Sequence, residues 1–142
     1  MIEIAQQMVS GEAPQAPVAR LIGFRITEVR EGYAVMELET NEAHYNPMGT
    51  VHGGILCDIA DAAMGIAFAS LAQEGESFTT IELKINFLKP VWKSQLRAAA
   101  KVIKKGKKIG MVECDVTDEK GSLVAKASST CMLLSGNEAL GR

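Results

Sequence analysis

Aromatic side chains are scarce, at 5% of 142 residues, with a single Trp. The core must therefore be filled by aliphatic and small side chains. Cysteine is sparse too. Cys57, Cys114 and Cys131 have no metal-ligand spacing, and an odd, scattered set without a secretory leader predicts reduced thiols in a cytoplasmic protein. The stretch from Met1 to Ser10 carries Glu3 and no basic run, unlike a signal peptide. Neither sign of charge dominates. A net charge of −2 argues against a general nucleic-acid binder. Only one long apolar run exists, Gly54 to Gln73, and Asp58, Asp61 and Gly65 within it argue against a membrane span. Gly-x-Ser-x-Gly is missing, and no Ser-His-Asp triad is evident. At this length one domain is expected, burying about two-thirds of the surface that its unfolded chain exposes.

What is present reads as an ordered series of elements. Met1 to Val9 spaces Ile2, Ala5, Met8 and Val9 as a short amphipathic helix. Gly11 to Pro17 is a linker by its glycine and prolines, and Val18 to Ile22 adds a helical turn. Gly23 to Arg30 and Tyr33 to Thr40 are strands around Glu31-Gly32. A polar loop, Asn41 to Gly53, leads to the long helix, which is apolar almost all round and so is expected to be buried on most sides. Four strand-like runs follow in hairpin-like succession: Phe78 to Lys89, Gln95 to Lys104, Lys108 to Thr117 and Leu123 to Leu133. In the first, Ile81, Leu83, Ile85 and Phe87 alternate with Thr80, Glu82, Lys84 and Asn86. One helix with six strands predicts an α+β architecture, a curved antiparallel sheet wrapped around that helix.

The chemistry concentrates in Asn46 to Asp61, NPMGTVHGGILCDIAD. His52-Gly53-Gly54 stands at the helix start, where backbone amides lack internal partners and the dipole is positive. Glycine there allows close approach of a substrate oxygen, as in an oxyanion hole, although a tight turn with a capping role has the same makeup. Asp58 and Asp61 are the only charges between Gly54 and Gln73, and their i, i+3 spacing puts them on one side of the helix. A carboxylate in so apolar a segment is costly unless it is paired or faces a cleft. Either a solvated strip or a general base or nucleophile would place one there. His44 reads as a surface loop residue.

The run resembles the PaaI-like (phenylacetate-degradation) branch of hotdog-fold thioesterases. The signature is an asparagine, His-Gly-Gly six residues later, and an acid nine after the histidine; Asn46, His52-Gly53-Gly54 and Asp61 keep both spacings. The resemblance runs from about Val18 to Leu133 and leaves residues 1–17 outside a hotdog domain of residues 18–142. It implies acyl-CoA hydrolysis without metal or organic cofactor. In that scheme the Gly53 amide polarises the thioester carbonyl, Asn46 positions water or thioester, and His52 orients the loop. Asp61 acts as general base or as nucleophile through a mixed anhydride, and Thr80, a hydroxyl on the strand after the helix, assists. A thioester is weakly resonance-stabilised and its thiolate leaves easily, so a carboxylate and one or two backbone donors can suffice. Lys105, Lys107 and Lys108 around Gly106, with Lys89 at another strand end, are candidates for the CoA phosphates. They would serve equally as guards of a strand edge. Phe68 to Phe78 and the N-terminal helix are candidates for shaping an acyl pocket.

Helix geometry adds a constraint. Eight residues separate Gly53 from Asp61, which is roughly 12 Å of helix. A carbonyl carbon must lie within about 3.5 Å of its nucleophile while its oxygen meets the donor. One chain cannot bring both groups to one substrate, whereas two copies with antiparallel helices can. The expected unit is a homodimer, and the resemblance, since hotdog thioesterases are dimers or dimers of dimers, implies its doubling to a homotetramer, with no nucleic-acid or membrane partner. Competing readings are a non-catalytic acyl-CoA-sensing module and a hotdog hydratase or dehydratase.

Overall fold

In the computed structural model, which describes residues 1–141, two short helices precede the first strand pair. They are α1 (Ile2–Ser10) and α2 (Pro17–Ile22), each ended by a glycine in the left-handed region, Gly11 and Gly23. Strands β1 (Arg25–Arg30) and β2 (Tyr33–Glu39) form a hairpin. A 3-10 turn (Glu42–His44) and a loop lead to α3 (Gly53–Ala69). Then come β3 (Glu76–Phe87), β4 (Gln95–Lys105), β5 (Ile109–Thr117) and β6 (Leu123–Ser135). Among the described residues no helix is long and apolar enough to cross a membrane.

The six strands form one antiparallel sheet in the order β1-β2-β4-β5-β6-β3. The hairpin succession expected after the helix holds for β4, β5 and β6 only. β3 pairs with β6 at the sheet's far edge, and residues 88–94 return the chain to the middle. The return is pinned by backbone bonds from Leu88 to Val124 and from Val51 to Val91. Because β2 and β3 lie on opposite sides of the sheet, the helix between them must cross beneath it. Leu56, Ile59, Ala63, Met64 and Phe68 are buried there against Leu38, Leu96, Val112 and Val116.

Small residues let the helix sit close. Ala34, Ala98, Ala100, Ala125 and Ala127 form much of the sheet's inner surface. The Phe68 ring lies against Gly110, whose position has no room for a Cβ. What remains accessible on α3 is a strip that includes Gly54, Asp58, Asp61, Ala62 and Ile66, along one side of the helix.

Candidate active site

One half of the site lies midway along α3. Thr80 Oγ1 donates to Asp61 Oδ1 at 3.2 Å. The plain alternation of β3 puts Thr80 on the face opposite Leu83, Ile85 and Phe87, and the structure corrects this. Thr80 pairs with Cys131 but Glu82 pairs with Thr130, so Ile81 is an extra residue, a β-bulge. The bulge reverses the alternation, and Thr80 and Leu83 both face the helix. Bulges beside functional sites commonly re-aim a side chain in this way. Cys131, directly across the strand pair, is buried, and burial raises its thiol pKa most, while hydrogen bonds from Ser129 and Thr80 oppose the rise.

Behind the carboxylate opens an apolar pocket of about 210 Å³, lined in part by Asp61, Thr80, Gly65, Ile66 and Phe78. Gly65 makes room for the Phe78 ring, which a Cβ would approach to 3.1 Å. Of the stretch from Phe68 to Phe78, Phe78 reaches this pocket. Phe68 is wholly buried in the core and supports Phe78 edge-on, with ring centroids 6.4 Å apart. Asp58, one turn before Asp61, does not line the pocket. Partial burial holds its pKa above the ordinary carboxylate range, and the neighbouring Asp61 charge adds to the rise.

The other half lies at the N-terminus of α3. Asn46 Oδ1 accepts from the amides of Met48 (2.9 Å) and Thr50 (3.2 Å), and its Nδ2 donates to Thr50 Oγ1 (3.0 Å). The side chain thus shapes its own loop, in which Gly49 has φ 81°. His52 is the N-cap, and its Nδ1 accepts from the Gly54 amide at 2.8 Å. With Nδ1 an acceptor, a neutral ring carries its proton on Nε2. The Ile55 amide bonds to the His52 carbonyl, which leaves the Gly53 N–H without a partner among the described residues, at the positive end of the helix. A Cβ on Gly53 would lie 2.8 Å from the tip of the exposed Phe87 ring, which would have to shift to make room.

His44 is no surface residue. It is buried, accepts from the Asn41 amide through Nδ1 (3.1 Å) and reaches the Ile22 carbonyl through Nε2 (2.8 Å). Its carbonyl accepts from the His52 amide at 2.8 Å, so it braces the capping loop. The signal missed is the box it forms with Asn41, a capping asparagine three residues upstream.

The lysines do not converge within one chain. Lys89 follows β3 at the Phe87 end and pairs with Asp118 at 2.6 Å, a contact that pulls the Asp118 pKa below the usual range. Lys105, Lys107 and Lys108 belong to the β4–β5 hairpin. Lys105 donates to the Leu71 carbonyl (3.0 Å) and Lys108 sits 3.6 Å from Glu138. Among the described residues no group of three or more His, Cys, Asp or Glu side chains is placed to hold a metal.

A single helix crossed by a curved antiparallel sheet is the hotdog architecture. The family model of the thioesterase superfamily matches residues 48–125, more than half the chain. A 1,4-dihydroxy-2-naphthoyl-CoA hydrolase of Listeria monocytogenes is 31% identical over 109 residues, covering 77% of this chain and 89% of that one. Among solved structures, the phenylacetic acid degradation-related protein of Ralstonia eutropha superposes with TM-score 0.82 at 30% identity, over 91% of this chain and 98% of the other. The E. coli PaaI protein of the phenylacetic acid degradation operon gives 0.83 at 25% identity, over 95% and 96%. The chain belongs to the thioesterase superfamily, in its PaaI-like branch of hotdog-fold enzymes.

Proposed function

We propose that this thioesterase hydrolyses acyl-CoA thioesters to free acid and CoA at a site shared between two copies of the chain. The observation that carries the reading is the separation of the half-sites. Asp61, with Thr80 and an apolar pocket, lies along α3, and the unpartnered Gly53 amide lies at its start. The pocket takes the acyl group and leaves the thioester at its mouth, beside Asp61. Gly53 of a second copy donates to the carbonyl oxygen as negative charge develops there, an interaction typically worth about 3 kcal/mol. Asp61 then either deprotonates a water that attacks the carbonyl carbon, or attacks it directly to form a mixed anhydride that a water hydrolyses; in both cases the thiolate of CoA leaves and the free acid is released. Thr80 holds the carboxylate in place. Asn46 and His52 fix the loop and cap that keep the Gly53 amide free. In this reading the hairpin lysines of one chain and Lys89 of the other meet the CoA phosphates.

The unpaired outer edge of β3 supports the pairing. Ile81 and Phe87 on this strand and Leu88 just beyond it are all more than half exposed, and a bare strand edge invites a partner strand. An antiparallel match centred near Leu83 would bring Phe87, with Gly53 beside it, opposite Thr80 and Asp61. It would also cover the accessible strip of α3. Exposed Ile103, Ile109 and Met111 on and beside β4 and β5 offer a second surface for doubling the dimer to a tetramer. Three free cysteines favour the reducing cytoplasm.

The test is thiol release from a panel of acyl-CoAs, with water addition to an enoyl-CoA measured alongside. Wild type should release CoA and leave the enoyl-CoA unchanged. Asp61→Asn should lower kcat by on the order of several hundredfold while the fold is kept. Activity within tenfold of wild type would remove Asp61 from its role. Hydration without thiol release would favour a hydratase, and tight binding with neither reaction a sensor.

A further inference from the structure

The pocket behind Asp61 is only half made by the helix and sheet. Gly65 and Ile66 of α3 and Ile26, Met36 and Phe78 of the sheet line one part of it, and Met8, Gln15 and Val18 line another. Met8, Gln15 and Val18 precede the first strand and lie upstream of the residues that match the family model. They belong to a stretch read from sequence as a helix, a linker and one helical turn. In the structure that stretch is fastened down. Gln15 Nε2 donates to the Met8 carbonyl at 2.9 Å, and its Oε1 accepts from the Ile26 amide at 3.1 Å. The first bond satisfies one of the orphan carbonyls in the last turn of α1. The second meets a backbone N–H of β1, an edge strand. One side chain thereby joins α1 to the sheet across the pocket's rim. Ala5, buried, and Met8, half-buried, pack the helix onto the core.

We propose that this N-terminal segment is the specificity element of the acyl site. Met8 and Val18 close its far end and set the largest acyl group accepted, and Gln15 is the positioning residue that holds them there. The inference rests on the acyl-CoA reading above, since Asp61 and Thr80 mark the pocket's mouth. Size gives the class of substrate. A dry protein cavity of roughly 150 Å³ holds benzene, or about 25 Å³ per carbon. The 210 Å³ here then takes a straight acyl chain of about eight carbons on the same scale. Longer chains would have to push the segment off.

The experiment uses S-alkyl-CoA thioethers from ethyl to tetradecyl, which cannot be hydrolysed, with binding measured by calorimetry. Wild-type affinity should climb with length to about eight carbons and then stop. Val18 is 50% exposed, so Val18→Phe tests the wall without burdening the fold. It should weaken octyl-CoA roughly tenfold, the worth of about two displaced methylenes, and leave ethyl-CoA within twofold. Met8→Ala should move the ceiling upward. Gln15→Ala should raise KM for octanoyl-CoA with kcat held and acetyl-CoA unaffected, whereas a purely structural loss would weaken all lengths alike. A wild type that binds the thioethers with the expected ceiling but releases no thiol from acyl-CoA would refute catalysis and leave this inference standing. Identical length profiles in wild type, Val18→Phe and Met8→Ala would overturn it, as would a wild type that binds none of the series.

Discussion

The two ends of the site are built in opposite ways. Around Gly53 nearly every polar group is used. Asn46 makes three side-chain bonds within its loop, His52 caps Gly54, and buried His44 holds the His52 amide. Around Asp61 one hydroxyl contact at 3.2 Å faces an apolar pocket walled partly by a short helix. The contrast follows from what each end must do. A donor stabilises developing charge only if it is already aimed and needs no reorganisation. An acyl pocket gains by burying apolar surface, which is non-directional and tolerates loose walls. In the proposed reading the pre-aimed donor thus sits at the densely bonded end, and the carboxylate shares the loosely walled end with the acyl pocket.

The comparison can be broken most forcefully at Gly53. Gly53→Ala forces a methyl to 2.8 Å from the Phe87 ring, and moving the amide should lower kcat by about a hundredfold. Adding Phe87→Leu makes room and should return much of the loss. Full activity in a Gly53→Ala variant whose structure shows the amide displaced would mean that the amide is not the donor. Thr80→Val comes next. It removes the hydrogen bond that Thr80 donates to the carboxylate but keeps the shape, and kcat should fall about tenfold, as expected for a bond to a charged group, with KM little changed. A pure KM effect would assign Thr80 to the pocket wall.

Asp58 gives the smallest effect and the sharpest internal control. It shares the helix and the charge of Asp61 but has no pocket, so Asp58→Asn should change activity only a few fold. Its effect on stability has a definite sign. A carboxyl whose pKa is raised on folding keeps its proton in the folded state when the unfolded chain has already lost it. Stability therefore falls as pH rises through that window. Asp58→Asn should raise the melting temperature at pH 7 and have no such effect at pH 3, where both states are protonated. A gain of equal size at both pH values would show that ionisation is not the cause.

Sequence alone exposed the densely bonded end and the carboxylate because each breaks a strong local pattern. Two acids interrupt an otherwise apolar helix, and paired glycines follow a histidine where a helix begins. Helix rise sets Gly53 and Asp61 too far apart for one chain to bring both to one substrate, and α3 carries them at its start and midway along it. The loosely walled end was less legible. The bulge at Ile81 leaves the alternation of β3 outwardly intact, so nothing local tells which face Thr80 joins. The pairing of β3 with β6 rather than β4 is equally silent, since an edge strand and its neighbour alternate alike. Gln15 sits among prolines and reads as linker, because its partners are seven and eleven residues away. His44 looked exposed because a polar loop gives no sign of the Ile22 carbonyl waiting above it.

The central claim, that each site takes its amide from one copy and its carboxylate from another, is tested most directly by mixing two dead chains. Asp61→Asn lacks the carboxylate, and Asn46→Ala lacks the side chain that shapes the loop before the Gly53 amide. Each should be nearly inactive alone. Unfolded and refolded together in equal amounts, half of the dimers are mixed and each mixed dimer holds one intact site of two. About a quarter of wild-type activity should return, by counting sites under twofold pairing. Mixed dimers that form, as shown by differently tagged chains copurifying, yet recover no activity would contradict the shared site.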